Sequence, residues 1–319
     1  MTMSFKQAVQ RVSDQHYVLP KVGGMKVEAH AFLSEALYGA SEEQVWRQIA
    51  NGASYEGVIG AYLMPDVHSG YGVPVGSVIV TSDTIIQGGS GYDISCGVLH
   101  MKADLTAAAV KSRHDRERWV REVERRVATG KGSHRPDLMP RFSRRQADEI
   151  LRFGARALGV SADLCERQYI PVPEGMALDK IARAHASVVP QLGSVGGGNH
   201  FIELQCDRDS GDVFVMVHCG SRGYGWQTAN HFFYEGAKAR GLPSHRREDA
   251  WLHADEPLGK EYWAHHNSAA NFAVANRHII VDGIRAATRE VFGADVEVYY
   301  EISHNLVQEE TLVLPDGAT

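Results

Sequence analysis

Apolar and polar positions follow two different periods along this chain, and the changes of period mark its elements. Val75-Gly76-Ser77-Val78-Ile79-Val80, Thr84-Ile85-Ile86 and Val98-Leu99-His100-Met101 are short apolar pieces set between glycine turns, so residues 72–102 predict strands. The unbroken apolar run Val213–Val217 predicts a buried strand, and the alternating Val296–Ile302 predicts another. A helical period takes over in Trp226–Arg240, stopped by Gly241, and again in Glu261–Val291. Ser41–Ala50 reads as a helix capped by Ser41, with Glu42 and Glu43 in its first turn. Residues 104–190 read as mainly helical, broken around Gly130–Pro140. The fold class is therefore mixed α/β, with central sheets flanked by helices. No repeat or low-complexity linker divides the chain, so residues 1–319 are expected to form one domain, 104–190 being a partly basic helical insertion.

Composition changes this picture little. Of 319 residues 44% are hydrophobic and 23% charged, ordinary values for a globular chain with a sizeable core. The net charge of −6 argues against a simple nucleic-acid-coating protein. Its distribution is uneven, with twelve Lys/Arg against five Asp/Glu from Lys111 to Arg145. That stretch is either a solvated helix face, since Glu117, Glu122 and Glu124 alternate with arginines, or a contact for phosphate backbone. No apolar run approaches the roughly 18 residues a membrane helix needs, and Met1–Val12 lacks the apolar segment of a secretory signal, so a cytoplasmic location is expected. Cys96, Cys165, Cys206 and Cys219 form no CxxC pair and read as thiols or metal ligands rather than disulfides.

The chemistry gathers where apolar runs end beside glycines. Met64-Pro65-Asp66-Val67-His68-Ser69-Gly70-Tyr71-Gly72 is one such cluster, and Gly91-Tyr92-Asp93-Ile94-Ser95-Cys96-Gly97 is a second. Gly193-Ser194-Val195-Gly196-Gly197-Gly198-Asn199-His200-Phe201-Ile202-Glu203 is a third, His218-Cys219-Gly220-Ser221-Arg222-Gly223 a fourth, and His304-Asn305 adds a fifth partner. A carboxylate, a thiolate and three imidazoles can hold one or two divalent ions, and a thiolate can bridge two. The Cys and His content favours zinc, with a Mn/Fe-type pair as the alternative. Asp93 and Cys96, three apart, can serve one ion from a single turn. Arg222 suits bidentate phosphate contact or a structural ion pair. Asn199 and the N–H groups of Gly196–Gly198 can also meet phosphate oxygens. The combination points to metal-assisted phosphoryl or nucleotidyl transfer.

In this order the motifs MPDVHSGYG (64–72), GYDISCG (91–97), GSVGGGNHFIE (193–203), HCGSRG (218–223) and HN (304–305) resemble the RtcB-type RNA-splicing ligase family. The resemblance covers most of the chain, most clearly residues 60–305. It implies a GTP- and manganese-dependent ligase that joins RNA ends bearing a 2′,3′-cyclic phosphate or 3′-phosphate to 5′-hydroxyl ends, in tRNA splicing or RNA repair. RNA, as tRNA halves or broken ends, would be the substrate, and an accessory activating protein is a candidate partner. By the same resemblance Asp93, Cys96, His200, His218 and His304 are the metal ligands for two Mn2+, with Cys96 bridging. Cys96, His200 and His218 would hold one ion; Asp93, Cys96 and His304 the other. Asn199, Phe201 and Glu203 would meet the guanylate, and Arg222 the RNA or its phosphate. Asp66 and His68 would stand behind the ligands.

Two departures from the family pattern matter. The pattern continues past Thr319, and the histidine that carries the guanylate is expected there, so no catalytic nucleophile is assigned and this chain alone is expected to be inactive in ligation. Cys219 stands where the family usually has serine, and an oxidation-sensitive thiol is expected beside a ligand. Two other readings stand beside the ligase: a ligase-inactive metal- and RNA-binding homologue, and a metal-dependent phosphodiesterase acting on cyclic phosphate ends.

Overall fold

A computed structural model describes residues 4–132, 142–161 and 170–311. Cys165, most of the break expected at Gly130–Pro140 and the Pro315–Thr319 end lie outside the described residues. The chain groups into two compact units, each discontinuous in sequence. One takes the residues up to Gly91, Phe233–Gly259 and the described residues from Leu306 on; the other takes Tyr92–Phe232 and Lys260–Asn305.

The first unit is built on a five-stranded sheet in sequence order: β1 (Gln10–Ser13), β2 (His16–Leu19), β3 (Ala29–Ala31), β4 (Val58–His68) and β5 (Val75–Thr81). All pairings are antiparallel except β3 with β4. Period-two alternation sends Leu19, Ala29, Ala31 and Leu63 into a core closed by Trp46 and Ile49 of the Glu43–Gly52 helix. That helix starts two residues later than its sequence predicts. Ser41 instead ends the preceding Glu35–Ala40 helix, its N–H bonding to the Leu37 and Tyr38 carbonyls. Its hydroxyl donates to the Tyr38 carbonyl at 2.7 Å and accepts from Trp46 Nε1 at 3.0 Å, which leaves it no role as a cap. β6 (Thr84–Ile86) pairs antiparallel with the much later Trp251–His253 (β12).

The second unit carries the wholly antiparallel sheet that positions the site. Its order is β10 (Phe201–Cys206), β11 (Asp212–Cys219), β7 (Gly97–Thr106), β13 (Val296–Ser303). β8 (Ala128–Thr129) and β9 (Ser194–Gly196) form a separate parallel pair. Val213, Val215 and Val217 of β11 and Leu99 and Met101 of β7 are buried in one core. Trp119 and Val123 of the Arg113–Arg126 helix and Ile280 and Ile284 of the Pro257–Phe292 helix pack with them. The Val213–Val217 run is thus buried on one face only. Phe214 and Met216 are half-buried on the other, where Phe214 stacks on His100.

Residues 104–190 contain the Arg113–Arg126 and Arg144–Phe153 helices and shorter turns, but β7 reaches Thr106 and 170–181 is irregular. Within the described part of the basic stretch, Arg113 bonds to Glu117 at 2.8 Å, Arg125 to Glu122 at 2.7 Å, and Arg126 to Glu122 and Glu290. Only Trp119 and Val123 of that helix are buried, which is the pattern of a solvated helix face. Among the described residues no helix is long and apolar enough to cross a membrane.

Candidate metal centre

The sheet of the second unit brings the chemistry together at one of its ends. Because β11 runs antiparallel to both β10 and β7, and β7 antiparallel to β13, the starts of β10 and β7 lie beside the ends of β11 and β13. The register pairs Phe201 with His218, His218 with Val98, Cys219 with Gly97, and Ser303 with Gly97. His200 precedes β10, Cys96 precedes β7, His218 is the penultimate residue of β11, and His304 follows β13. Segments far apart in sequence therefore deliver their polar groups to one edge.

The turn before β7 is tightly specified. Ser95 is fully buried in a left-handed conformation (φ 58°), which costs a residue with a Cβ about 1–2 kcal/mol. Hydrogen bonds hold it there: Ser95 N–H to the Asn305 carbonyl (2.8 Å), Cys96 N–H to the Asp93 carbonyl (3.0 Å) and His304 N–H to the Cys96 carbonyl (2.9 Å). Strain of this kind, over-determined by its surroundings, is characteristic of functional sites.

Two groups of potential ligand atoms result, each within 4.8 Å: Asp93, Cys96 and His200; and Cys96, His218 and His304. Cys96 Sγ lies 3.5 Å from His200 Nε2 and 3.1 Å from His218 Nε2. His200 Nε2 is 2.8 Å from Asp93 Oδ2, and the Nε2 atoms of His218 and His304 are 3.4 Å apart. Two ligand atoms each about 2.0–2.3 Å from one ion would have comparable separations. These distances divide the five residues differently from the sequence-based expectation. Grouped by distance, His200 falls with Asp93 and His304 with His218.

The imidazoles are oriented by their other nitrogens. His200 Nδ1 donates to the Val195 carbonyl (2.9 Å) and His218 Nδ1 to the Asn199 carbonyl (3.0 Å). With Nδ1 so engaged, Nε2 is the atom turned toward the thiol, the arrangement that metal-binding histidines use. Asp93 is fixed by Ser221 N–H at 3.0 Å to Oδ1, and a Cβ at Gly220 would collide with its carboxylate. Burial opposes ionisation of Asp93, but the hydrogen bond and charge of His200 outweigh it and hold the carboxyl below its ordinary value. Burial, then the neighbouring Asp93 charge, pushes the Cys96 thiol far up. Burial likewise lowers His218. An anionic oxygen, a thiol that ionises only when a cation compensates it, and imidazole Nε2 atoms converging on them form a donor set that fits a divalent ion.

Arg222, also left-handed (φ 57°), lays its guanidinium across the glycine run. Its Nε donates to Ser194 Oγ at 3.2 Å, and a Cβ at Gly196 would fall on the guanidinium, so a side chain there is excluded by close approach as well as by φ (+97°). Asn199, Phe201 and Glu203 are exposed at the start of β10, with Glu203 accepting from Gln205 Nε2 at 3.1 Å. Asp66 and His68 belong to the first unit, exposed near the end of β4, and neither ligand group contains them. Cys219 is next to the ligand His218 in sequence, as expected, but its environment is that of a protected thiol rather than an oxidation-sensitive one. Strand alternation turns it away from its neighbour His218 into the core, where it is fully buried and raised to about 12, chiefly by that burial.

The sequence reading missed the layer behind the ligands. Fully buried Arg277 donates to the carbonyls of Ser95 (2.9 Å) and Cys219 (3.0 Å), to Ser303 Oγ (3.0 Å) and to Glu301 Oε1 (2.7 Å). It thereby ties the ligand turn to the ends of β11 and β13. Its neighbour Asn276 accepts from the N–H groups of Gly193 (2.7 Å) and Ser194 (3.2 Å) and donates to the Ser194 carbonyl (2.9 Å), pinning the start of the glycine run. A signal was present: Asn276 and Arg277 fall in helical phase with the core residues Ala273, Ile280 and Ile284.

Comparison with known proteins shows the family. The family model described as tRNA-splicing ligase RtcB matches residues 48–316. The tRNA-splicing ligase RtcB of Archaeoglobus fulgidus is 31% identical, the match covering 97% of this chain and 70% of that protein. The RNA-splicing ligase RtcB of Mycobacterium bovis is 34% identical over 83% of this chain and 67% of its own length.

Proposed function

The chain belongs to the RtcB family of tRNA-splicing ligases, and on that basis we propose that it acts in joining RNA ends, a 2′,3′-cyclic phosphate or 3′-phosphate to a 5′-hydroxyl, with GTP and manganese. The observation that carries this reading is Cys96, common to two groups of three ligand atoms. Asp93, Cys96 and His200 would hold one Mn2+, and Cys96, His218 and His304 a second. Bound there, such ions would act as Lewis acids that offset charge at a phosphate.

The chain's own residues supply the rest. The Val195 and Asn199 carbonyls keep the Nε2 atoms of His200 and His218 turned toward the thiol. Arg222, cationic and anchored by one edge on Ser194, offers its guanidinium to a phosphate oxygen. Asn199, Phe201 and Glu203, exposed at the start of β10, would meet the guanylate.

The test is a sealing reaction between a 3′-phosphate or cyclic-phosphate RNA and a 5′-hydroxyl RNA, with GTP and Mn2+, using this chain and a version extended past Thr319, each as wild type and as Cys96→Ala. A joined product that disappears with Cys96→Ala supports the ligase. Conversion of cyclic phosphate to 3′-phosphate ends without joining favours a phosphodiesterase. RNA binding with neither product favours a ligase-inactive homologue.

A further inference from the structure

The Arg222–Ala239 helix buries Tyr224, Thr228, Ala229 and Phe232 completely, yet Trp226 stands 51% exposed between them. Its indole is not needed for that packing. It stacks instead on Tyr92, with ring centroids 5.9 Å apart and planes 21° from parallel. This pair is joined to the metal centre at both ends. Tyr92 is bonded directly to the ligand Asp93, and Asp93 is held by the N–H of Ser221, five residues before Trp226. Gly225, next to Trp226, packs against the ligand turn, where an added Cβ would meet Ile94 N at 3.7 Å. A rigid aromatic ledge, one face backed by tyrosine and the other in solvent, therefore begins one residue from the ligand set.

We propose that Trp226, backed by Tyr92, is a stacking platform for the base of the RNA nucleotide whose terminal phosphate reaches the metal centre. Two features favour a nucleobase as the occupant. An exposed flat π surface recognises any base by stacking, and that suits an enzyme that must accept RNA ends of differing sequence. The ledge also lies beside the residues proposed to handle the phosphate. Asp93 is adjacent to Tyr92, and Arg222 opens the helix that carries Trp226. The inference rests on the proposed action at RNA ends.

The experiment compares two short 3′-phosphate oligoribonucleotides that differ only in their last nucleotide, one with a base and one abasic, in equilibrium binding to the full chain with Mn2+. The wild-type chain should bind the base-bearing probe roughly tenfold more tightly, as expected for one stacked base. Trp226→Ala should bind both probes alike, at about the wild-type affinity for the abasic one, and Trp226→Phe should recover part of the preference. Because Trp226 is exposed, both variants should keep the wild-type melting temperature. Equal wild-type affinity for the two probes, or a preference that survives Trp226→Ala, would overturn the platform while leaving the proposed function standing. Failure of the wild-type chain to bind either probe would overturn the proposed function and the platform with it.

Discussion

His16 and His30, in the five-stranded sheet, face each other with ring nitrogens 3.0 Å apart. Their rings stack on one another and on Phe32 and Tyr62. His200 and His218, at the end of the four-stranded sheet, meet at 65° rather than stacking, and each commits Nδ1 to a main-chain carbonyl. In the first pair the facing nitrogens satisfy each other, and His30 Nε2 turns to Glu28 at 3.3 Å. In the second pair both Nε2 atoms converge on a buried thiol. The lesson is that an imidazole becomes a candidate ligand through what its other nitrogen does. Count and proximity of histidines do not separate the two regions; hydrogen-bond direction does.

The sharpest way to break this contrast is a metal titration. By isothermal calorimetry the wild-type chain should take up two Mn2+. Cys96→Ala should lose both sites, each weakened by more than the roughly 10–100-fold that removal of an outer partner costs. His16→Ala should titrate like wild type, and a loss of Mn2+ uptake in that variant would end the distinction between the two pairs.

A smaller effect should follow from removing what stands behind the second pair. Arg277→Ala leaves buried Glu301 with His278 (2.9 Å) but without its guanidinium, and strips the Ser95 and Cys219 carbonyls of their donor, for which about 3 kcal/mol of stability is expected in urea denaturation. Arg277→Lys, which keeps the charge but not the fork that reaches two carbonyls, should fall between. A loss below about 1 kcal/mol for Arg277→Ala would mean that the ligand turn and strand ends hold without it.

The smallest effect per residue concerns a third kind of histidine. His265 and His266, buried in the Pro257–Phe292 helix, are each lowered to about 4, first of all by burial. Above pH 6.5 neither the folded nor the unfolded chain protonates them, and stability is complete. Between pH 6.5 and 4 the unfolded chain binds protons that the folded one refuses, so stability falls by up to about 3 kcal/mol per histidine. Urea midpoints measured from pH 7 to 4.5 should drop, and His266→Gln should flatten the decline. An unchanged slope in that variant would show that His266 stays protonatable in the fold.

Much of the architecture is legible in the sequence because it is local. The strands at 75–81 and 84–86, the helix that stops before Gly241 and the long helix through 261–291 all follow from periodicity and glycine punctuation. The five polar residues that gather at the sheet end are named by their motifs. What resisted reading depends on long-range register. Whether His200 or His304 accompanies Asp93 depends on how segments far apart in sequence pack at the sheet end, and no local pattern encodes that. Ser41 was misassigned because a serine can end one helix as readily as begin the next. Arg277 escaped because an arginine in a helix reads as surface unless its phase is compared with the apolar stripe.

The seating of Arg222 on Gly196 has a genetic corollary. Any amino-acid replacement at residue 196 brings a Cβ onto the guanidinium, so only synonymous changes should survive selection at that codon if the arginine is needed. Two residues on, Gly198 shares a positive φ (+78°) but has nothing within 4 Å of an added Cβ. Asparagine, which enters the left-handed region more readily than most residues, should be an acceptable allele there. Within one short glycine run, mutational tolerance is set by the neighbour each glycine carries, and a saturation library across codons 196–198 would read that neighbour out.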